Sequence, residues 1–475
     1  MDQRKKATVE ANKILPSAPK HFVAAGFIKK RSFNYDMTKT EVFLNRPSSS
    51  KGWKWVAYFI VGVFIGVTAF VMSKFEEWLL DKRIELAHSV IDSPDVPGTD
   101  KGDKNVWGAW SSLAAWVFIS GAVGTTMTIY IGPGANGSGI AELMAYLNGV
   151  NYPGMIGYKV LFIKTLCVIL GISGALCIGK EGPLAHIGAI IALAVIYLFP
   201  LQPFEYFRND EQKREFVCAG ISAGVSAAFA SPIGGALFSY EMSKPNTFWT
   251  FAMIWRTFFC SSISTFTLSI LDQLVEGDEL KVNAAGTVKF GRLADVSVPL
   301  TEVVGSLVLG VVGGVLGSFF ITVNGFMGRQ RKRFINTNWK KIIETGIFGV
   351  MTISAMTLMI HWAGKCRPMP PRPDPETQKE AYGLWKQVNH IHWNCVEDEE
   401  YNDLATLFYN TEAAQIKSLF YVNEYFTIDT HQIFLFGFTW YVFTIFTYGV
   451  VIPAGLFLPG IIMGGALGRW YTALI

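Results

Sequence analysis

Two apolar segments of this chain meet across five residues that include a base and an acid, Gly179-Lys180-Glu181-Gly182-Pro183. Val160 to Ile178 runs before them and Leu184 to Leu198 after them. Ionisable groups between two membrane helices are costly to keep there and are read first as functional. The flanking glycines and Pro183 predict a helix break, with the second helix restarting at the proline. A first turn has no use for the N–H that proline lacks. The restarted helix would aim free N–H groups and the positive end of its dipole at whatever lies ahead, which suits an anion. Glu181 would compete with that anion for the same place. The plainer reading, a surface glutamate between two helices, fits such apolar surroundings poorly.

The rest of the chain supplies the membrane for this break. Only 16% of its 475 residues are charged and 51% are hydrophobic, against about 25% charged in a typical soluble domain. That composition, with repeated long apolar runs, predicts an all-α polytopic membrane protein. The 46 glycines suit close-packed and interrupted helices. The net charge of +4 decides little beside its distribution. Residues 1–52 carry Arg4, Lys5, Lys6, Lys29, Lys30 and Arg31 and are expected to form a cytoplasmic arm, not a cleavable signal peptide.

In order, the spacing predicts a span from Trp53 to Leu80, a polar loop from Ile84 to Lys104, and a span from Trp107 to Ile131. A glycine-rich interruption, Gly132 to Glu142, leads to a stretch from Leu143 to Val150, too short to cross about 30 Å of hydrocarbon. Arg208 to Glu215 reads as a charged surface loop, followed by a small-residue helix from Phe216 to Ala230, a break at Ser231-Pro232, and a helix through Glu241. Phe248 to Leu271 is apolar. Residues 273–298 are a polar connector, Leu300 to Phe326 is a Gly/Val helix, and Arg329 to Arg333 with Lys340 and Lys341 is a basic cytoplasmic loop. Ile342 to Trp362 crosses back, residues 364–402 form a luminal loop, Asp403 to Phe420 is an amphipathic surface helix, and Phe434 to Val451 is a further span.

Gly455-Leu456-Phe457-Leu458-Pro459 followed by Gly464 repeats the spacing of Gly179, Pro183 and Gly188, again where an apolar helix restarts. Broken helices at corresponding places in two halves point to a midplane binding site in a duplicated transporter fold. The halves are residues 53–272 and 299–475.

Together, Gly137-Ser138-Gly139-Ile140-Ala141-Glu142, Gly179-Lys180-Glu181-Gly182-Pro183 and Gly455-Leu456-Phe457-Leu458-Pro459 resemble the three anion-selectivity motifs of the CLC chloride channels and chloride/proton exchangers, in order and separation. The resemblance runs from about Trp53 to the end. Tyr146 to Val150, Ser264 to Leu268, Phe290 to Arg292 and Tyr401 to Asn410 resemble the intracellular, lysosomal-type branch. It implies an inverted-repeat fold with broken and re-entrant helices. Ser138 would offer its hydroxyl to a central chloride, the backbone of Gly139, Ile140, Leu456 and Phe457 would surround it, and Glu181 would be the movable gate. Ser138 is also read plainly as a helix N-cap, which is compatible. Cys366 and Cys395 sit where that branch has a luminal cysteine pair. Cys167, Cys177, Cys218 and Cys260 read as packing residues.

Two departures stand out. Ala141 replaces a proline of the first motif. Met242, after Glu241, replaces the second glutamate, which in exchangers transfers protons internally; a thioether cannot carry a proton. The expectation is therefore a passive, channel-like, voltage-gated chloride pathway. The alternatives are a chloride/proton antiporter of an acidic organelle and a non-conducting subunit that assembles with or regulates a full-length partner. The resemblance also implies a homodimer in a lipid bilayer and an endomembrane location, while an accessory subunit as a further partner is left open by the sequence. The chain stops at Ile475, so the second half is expected to be truncated, without the tyrosine ligand or the CBS domains. No phosphate loop or nucleophile–base set occurs, and His390, His392 and Cys395 lack a fourth ligand. The chain is thus expected to be no enzyme, with no cofactor, no metal and no nucleic-acid partner; chloride is the transported ligand.

Overall fold

The computed structural model describes residues 50–91, 105–151, 154–198, 204–205, 207–243, 251–276, 300–374, 385, 389–396, 399–420 and 427–474. Most of the expected arm and of the polar connector, with Phe290 to Arg292, lie outside them; residues 50–52 of that arm open the first helix. The described helices are α1 (Ser50–Ile91), α2 (Val106–Tyr130), α3 (Ile140–Leu147), α4 (Tyr158–Ser173), α5 (Glu181–Leu198), α6 (Asp210–Phe229), α7 (Pro232–Ser243), α8 (Phe251–Glu276), α9 (Leu300–Phe334), α10 (Asn338–Ala363), α11 (Asp403–Phe408), α12 (Glu412–Phe420), α13 (Thr430–Thr447) and α14 (Phe457–Thr472). Six of these segments are long and apolar enough to cross a membrane: Gly52–Ile91, Val106–Tyr130, Glu181–Leu198, Phe251–Val275, Glu302–Phe334 and Asn338–Ala363.

The chain divides into two compact units that cut across its sequence halves: Met1–Val71, Gly132–Thr165 and Glu181–Thr287 in one, and Met72–Ile131, Leu166–Lys180 and Val288–Ile475 in the other. In the first, α5 lies against α6 where their backbones nearly touch. A Cβ on Gly220 would stand 2.3 Å from the Gly188 carbonyl oxygen, and one on Gly224 2.5 Å from that of Leu184. Small residues are therefore required by contact there, as expected for helices drawn together by packing in lipid. The first half of α1 meets α8 in the same way, through Gly62 against Cys260 and Gly66 against Ser264.

In the second unit α2 packs on α10, with Trp110 donating from Nε1 to Ser354 at 3.0 Å, and α13 packs on α14. Asn324 of α9 donates to the carbonyls of Ile445 and Tyr448, and Arg331 to Glu344 at 2.6 Å. Two short antiparallel strands, β1 (Cys366–Pro368) and β2 (Glu400–Asn402), pair with Cys366 opposite Asn402. Beside them a disulfide joins Cys366 to Cys395. Arg367 bonds both Asp403 and Asp429. Hydrogen bonds from Lys365 and Arg367 hold the Asp429 carboxyl below the ordinary aspartate range.

Several boundaries differ from those expected. The expected surface loop Arg208 to Glu215 is instead the entry to α6 from Asp210 onward, capped by Asn209 accepting from Gln212 N at 2.9 Å. Gln212, Lys213, Arg214 and Glu215 are buried. Lys213 pairs with Asp210 one turn away at 3.6 Å, and the others find distant partners: Lys54 bonds Gln212 and Glu215, Arg256 pairs with Glu215 at 3.3 Å, and Arg214 donates to the Tyr146 carbonyl and Asn151. The first span continues past Leu80 to Ile91, because no glycine or proline interrupts Asp81 to Ile91. The basic run Arg329 to Arg333 is the last turns of α9, where cations oppose the negative end of the helix dipole. Asp403 to Phe420 is two short helices, and Asp403 to Phe408 is buried throughout. The second helix of the central break restarts at Glu181, two residues before the proline. α8 runs to Glu276, into the segment expected to be connector.

Candidate functional site

In the first unit the opening motif forms the entry to α3. Gly139 is the N-cap residue at φ +81°, with no side-chain cap. Ser138 accepts weakly from Ile140 N at 3.4 Å, so its hydroxyl serves one N–H of that turn. Gly137 also has positive φ. Only glycine fits at 139. A Cβ would stand 2.1 Å from Nδ1 of His186, and left-handed backbone costs other residues about 1–2 kcal/mol. His186 lies on α5, five residues beyond Glu181, so the first motif rests on the helix that Glu181 opens.

Glu181 stands in the first turn of α5 and is 1% exposed. Gly182, Pro183 and every residue onward to Leu193 are buried too. A carboxylate at the positive end of a helix dipole is favourably placed, while its burial penalises the charge. His186 and Lys164 are fully buried in the same unit; the sequence reading singled out neither. Met242 is buried on α7 at 3% exposure and Glu241 is exposed. The position expected for an internal proton group therefore faces protein with a thioether, while the carboxylate beside it does not.

In the second unit the other two motifs meet. Gly179 and Gly455 exchange both backbone hydrogen bonds, each N–H to the other's carbonyl at 2.8 Å, as a single antiparallel bridge. Each residue lies two positions before a helix start, Gly179 before Glu181 and Gly455 before Phe457. The repeat read from spacing thus has a physical counterpart. Leu456 caps α14 without a side-chain bond, leaving backbone groups as the polar face of that turn, and Pro459 is buried within the same turn. Thr447 donates to the Cys177 carbonyl just upstream of the bridge, at 3.4 Å.

Lys180 is buried and pairs with Glu76 of α1 at 2.7 Å. The sequence offers only one signal for Glu76, a carboxylate inside a helix that does not stop there. Cys366 and Cys395 lie with Glu400 in a close group, but their sulfurs are bonded to each other and offer no thiolate to a metal.

Residues 117–475 match the voltage gated chloride channel family. The H(+)/Cl(-) exchange transporter 7 of Mus musculus is 32% identical over 465 residues, covering 94% of this chain and 54% of the mouse protein. The chain thus spans about half the length of the curated relatives it matches. Among solved structures, a slow cyanobacterial Cl-/H+ antiporter aligns with TM-score 0.60 at 19% identity, covering 89% of this chain and 80% of its own. A eukaryotic CLC transporter aligns with TM-score 0.58 at 16% identity, covering 91% and 61%. At those identities the likeness concerns the fold.

Proposed function

Because the chain belongs to the voltage gated chloride channel family, we propose that it is the membrane portion of a protein that moves chloride. The residues we assign to chloride are Ser138, Gly139 and Ile140 in the first unit and Leu456 and Phe457 in the second, with Glu181 as the gate. The observation that carries this reading is the reciprocal bond between Gly179 and Gly455. It ties together the approaches to two broken helices, one of which opens on a buried carboxylate. Such helix starts present N–H groups to an anion without placing a full positive charge there. Protonation of Glu181 would vacate the place its carboxylate competes for.

The mouse relative is named an exchanger, which favours antiport of chloride and protons over the passive pathway first expected from Met242. The passive reading keeps one specific support, the buried thioether where exchangers have a carboxylate. A homodimer with one pathway per subunit, an accessory subunit, and residence in an endomembrane with the N-terminal arm in the cytoplasm belong to the same proposal; they rest on the branch resemblance. The test is reconstitution of the full-length protein in liposomes, with chloride efflux and external pH recorded together. Chloride efflux with opposite proton movement is expected. Chloride efflux without proton movement would favour the passive reading, and absence of chloride efflux would overturn both.

A further inference from the structure

The second half of α1 does more than cross a membrane. From Met72 onward it presents a buried stripe of Glu76, Leu80, Arg83 and Ala87, at the spacing that places residues on one helix face. Two of the four are charged, and both reach the short break between α4 and the start of α5. Arg83 donates from its guanidinium to the carbonyl of Ser173, the last residue of α4, at 3.1 Å. That carbonyl belongs to the end of a helix, where acceptors lack intrahelical partners. Glu76, two turns earlier on the same face, bonds Lys180 at 2.7 Å, and both side chains are less than a tenth exposed. The two contacts thus grip residues 173 and 180, the two ends of the break that leads into Glu181. Trp116 adds a bond from Nε1 to the Ser173 hydroxyl at 2.9 Å.

Lys180 is a cation one residue before the proposed gate. Left alone at that depth, its charge would attract both the Glu181 carboxylate and any anion in the pathway. We propose that Glu76 is a positioning residue for the gate: it neutralises Lys180, while Arg83 anchors the other end of the break. The break then keeps its shape, and the anion sees helix N–H groups in place of a full positive charge. This rests on the chloride-transport reading above. It goes beyond that reading in assigning a role to α1 and in making the second motif's lysine a held charge and not a chloride ligand.

Charge neutralisation makes opposite demands on the two partners, and that separates it from a merely structural role. In the full-length protein in liposomes, Glu76→Gln removes the carboxylate that Lys180 pairs with and leaves one more positive charge beside the gate. The half-saturating chloride concentration should then fall about tenfold, with a slower maximal rate because the anion leaves late. Lys180→Met leaves Glu76 as an uncompensated anion, and the half-saturating concentration should rise by about the same factor. The double variant Glu76→Gln/Lys180→Met should return to within about threefold of wild type and should regain most of the thermal stability that each single variant loses. Shifts of the two single variants in the same direction, or a double variant as impaired as the worse single one, would overturn the proposal. A wild-type protein without chloride efflux would overturn the transport reading and the effect on anions with it, while the thermal cycle alone still decides whether the two residues act as a pair.

Discussion

α5 and α9 are both apolar, glycine-containing helices, and their surroundings are opposite. In α5 83% of the most apolar window is buried, and in α9 none of it is. Gly188 of α5 has Gly220 against it, so close that a Cβ would come within 2.2 Å of its carbonyl oxygen. Gly310, Gly313, Gly314 and Gly317 of α9 have nothing within 4 Å of a Cβ position. One set of glycines is required by contact with a neighbouring backbone; the other is met by no described neighbour. Glycine content therefore identifies a membrane helix without telling which of its glycines carry packing. Ion pairs show the same division. Lys180 and Glu76 pair with both side chains buried, whereas Lys365 and Asp429 pair half-exposed near the disulfide.

The contrast can be broken most forcefully at α6. Gly220→Val should force α5 and α6 apart and cost about 3 kcal/mol or more, seen as loss of a monodisperse, cooperatively unfolding protein in detergent. Near-normal stability would mean that the close approach is not obligatory. Gly139→Ala should cost about 1–3 kcal/mol, from left-handed backbone and the displaced His186 ring. A matched drop in melting temperature should be relieved in part by the double variant with His186→Ala. Gly313→Ala should do the reverse, stabilising α9 by about 0.5–1 kcal/mol because alanine is the better helix former and finds open space. Destabilisation there would reveal a packing partner for that face.

The smallest effect concerns the exposed pair. Because Asp429 is held below its ordinary value, its contribution to stability is present above the unfolded value of about 3.9 and is lost as pH falls through the lower folded value. Asp429→Asn should lower the melting temperature slightly at neutral pH, by no more than about 1 kcal/mol in stability, and flatten its decline below about pH 4. An unchanged acid decline would remove this pair from the acid response.

The parts of this molecule legible in its sequence are those written locally. Glycine and proline punctuation gave the breaks at Gly179 and Gly455, and apolar length gave most of the spans. What the sequence concealed is non-local. Arg208 to Glu215 looks like surface because six of its eight residues are charged, yet Glu215 is buried against Lys54, 161 residues away. Glu76 gave no sign of its role because its partner Lys180 lies 104 residues away. Charge reads as exposure until its counter-charge is located. Helix ends were misjudged where charged residues continue a helix, as at Asp81 to Ile91 and Arg329 to Arg333, since charge alone does not stop a helix. The residues of the candidate site, and Met242, were proposed from pattern, while His186 beneath Gly139 and the contacts of α1 with the central break had no such signal.

The role of Glu181 is tested most directly by chloride efflux from liposomes containing the full-length protein, wild type against Glu181→Ala, measured across a range of pH. The account expects wild-type efflux to vary with pH, and the variant to keep conducting chloride with that dependence abolished. No efflux from the wild type, or a pH dependence unchanged by Glu181→Ala, would contradict it.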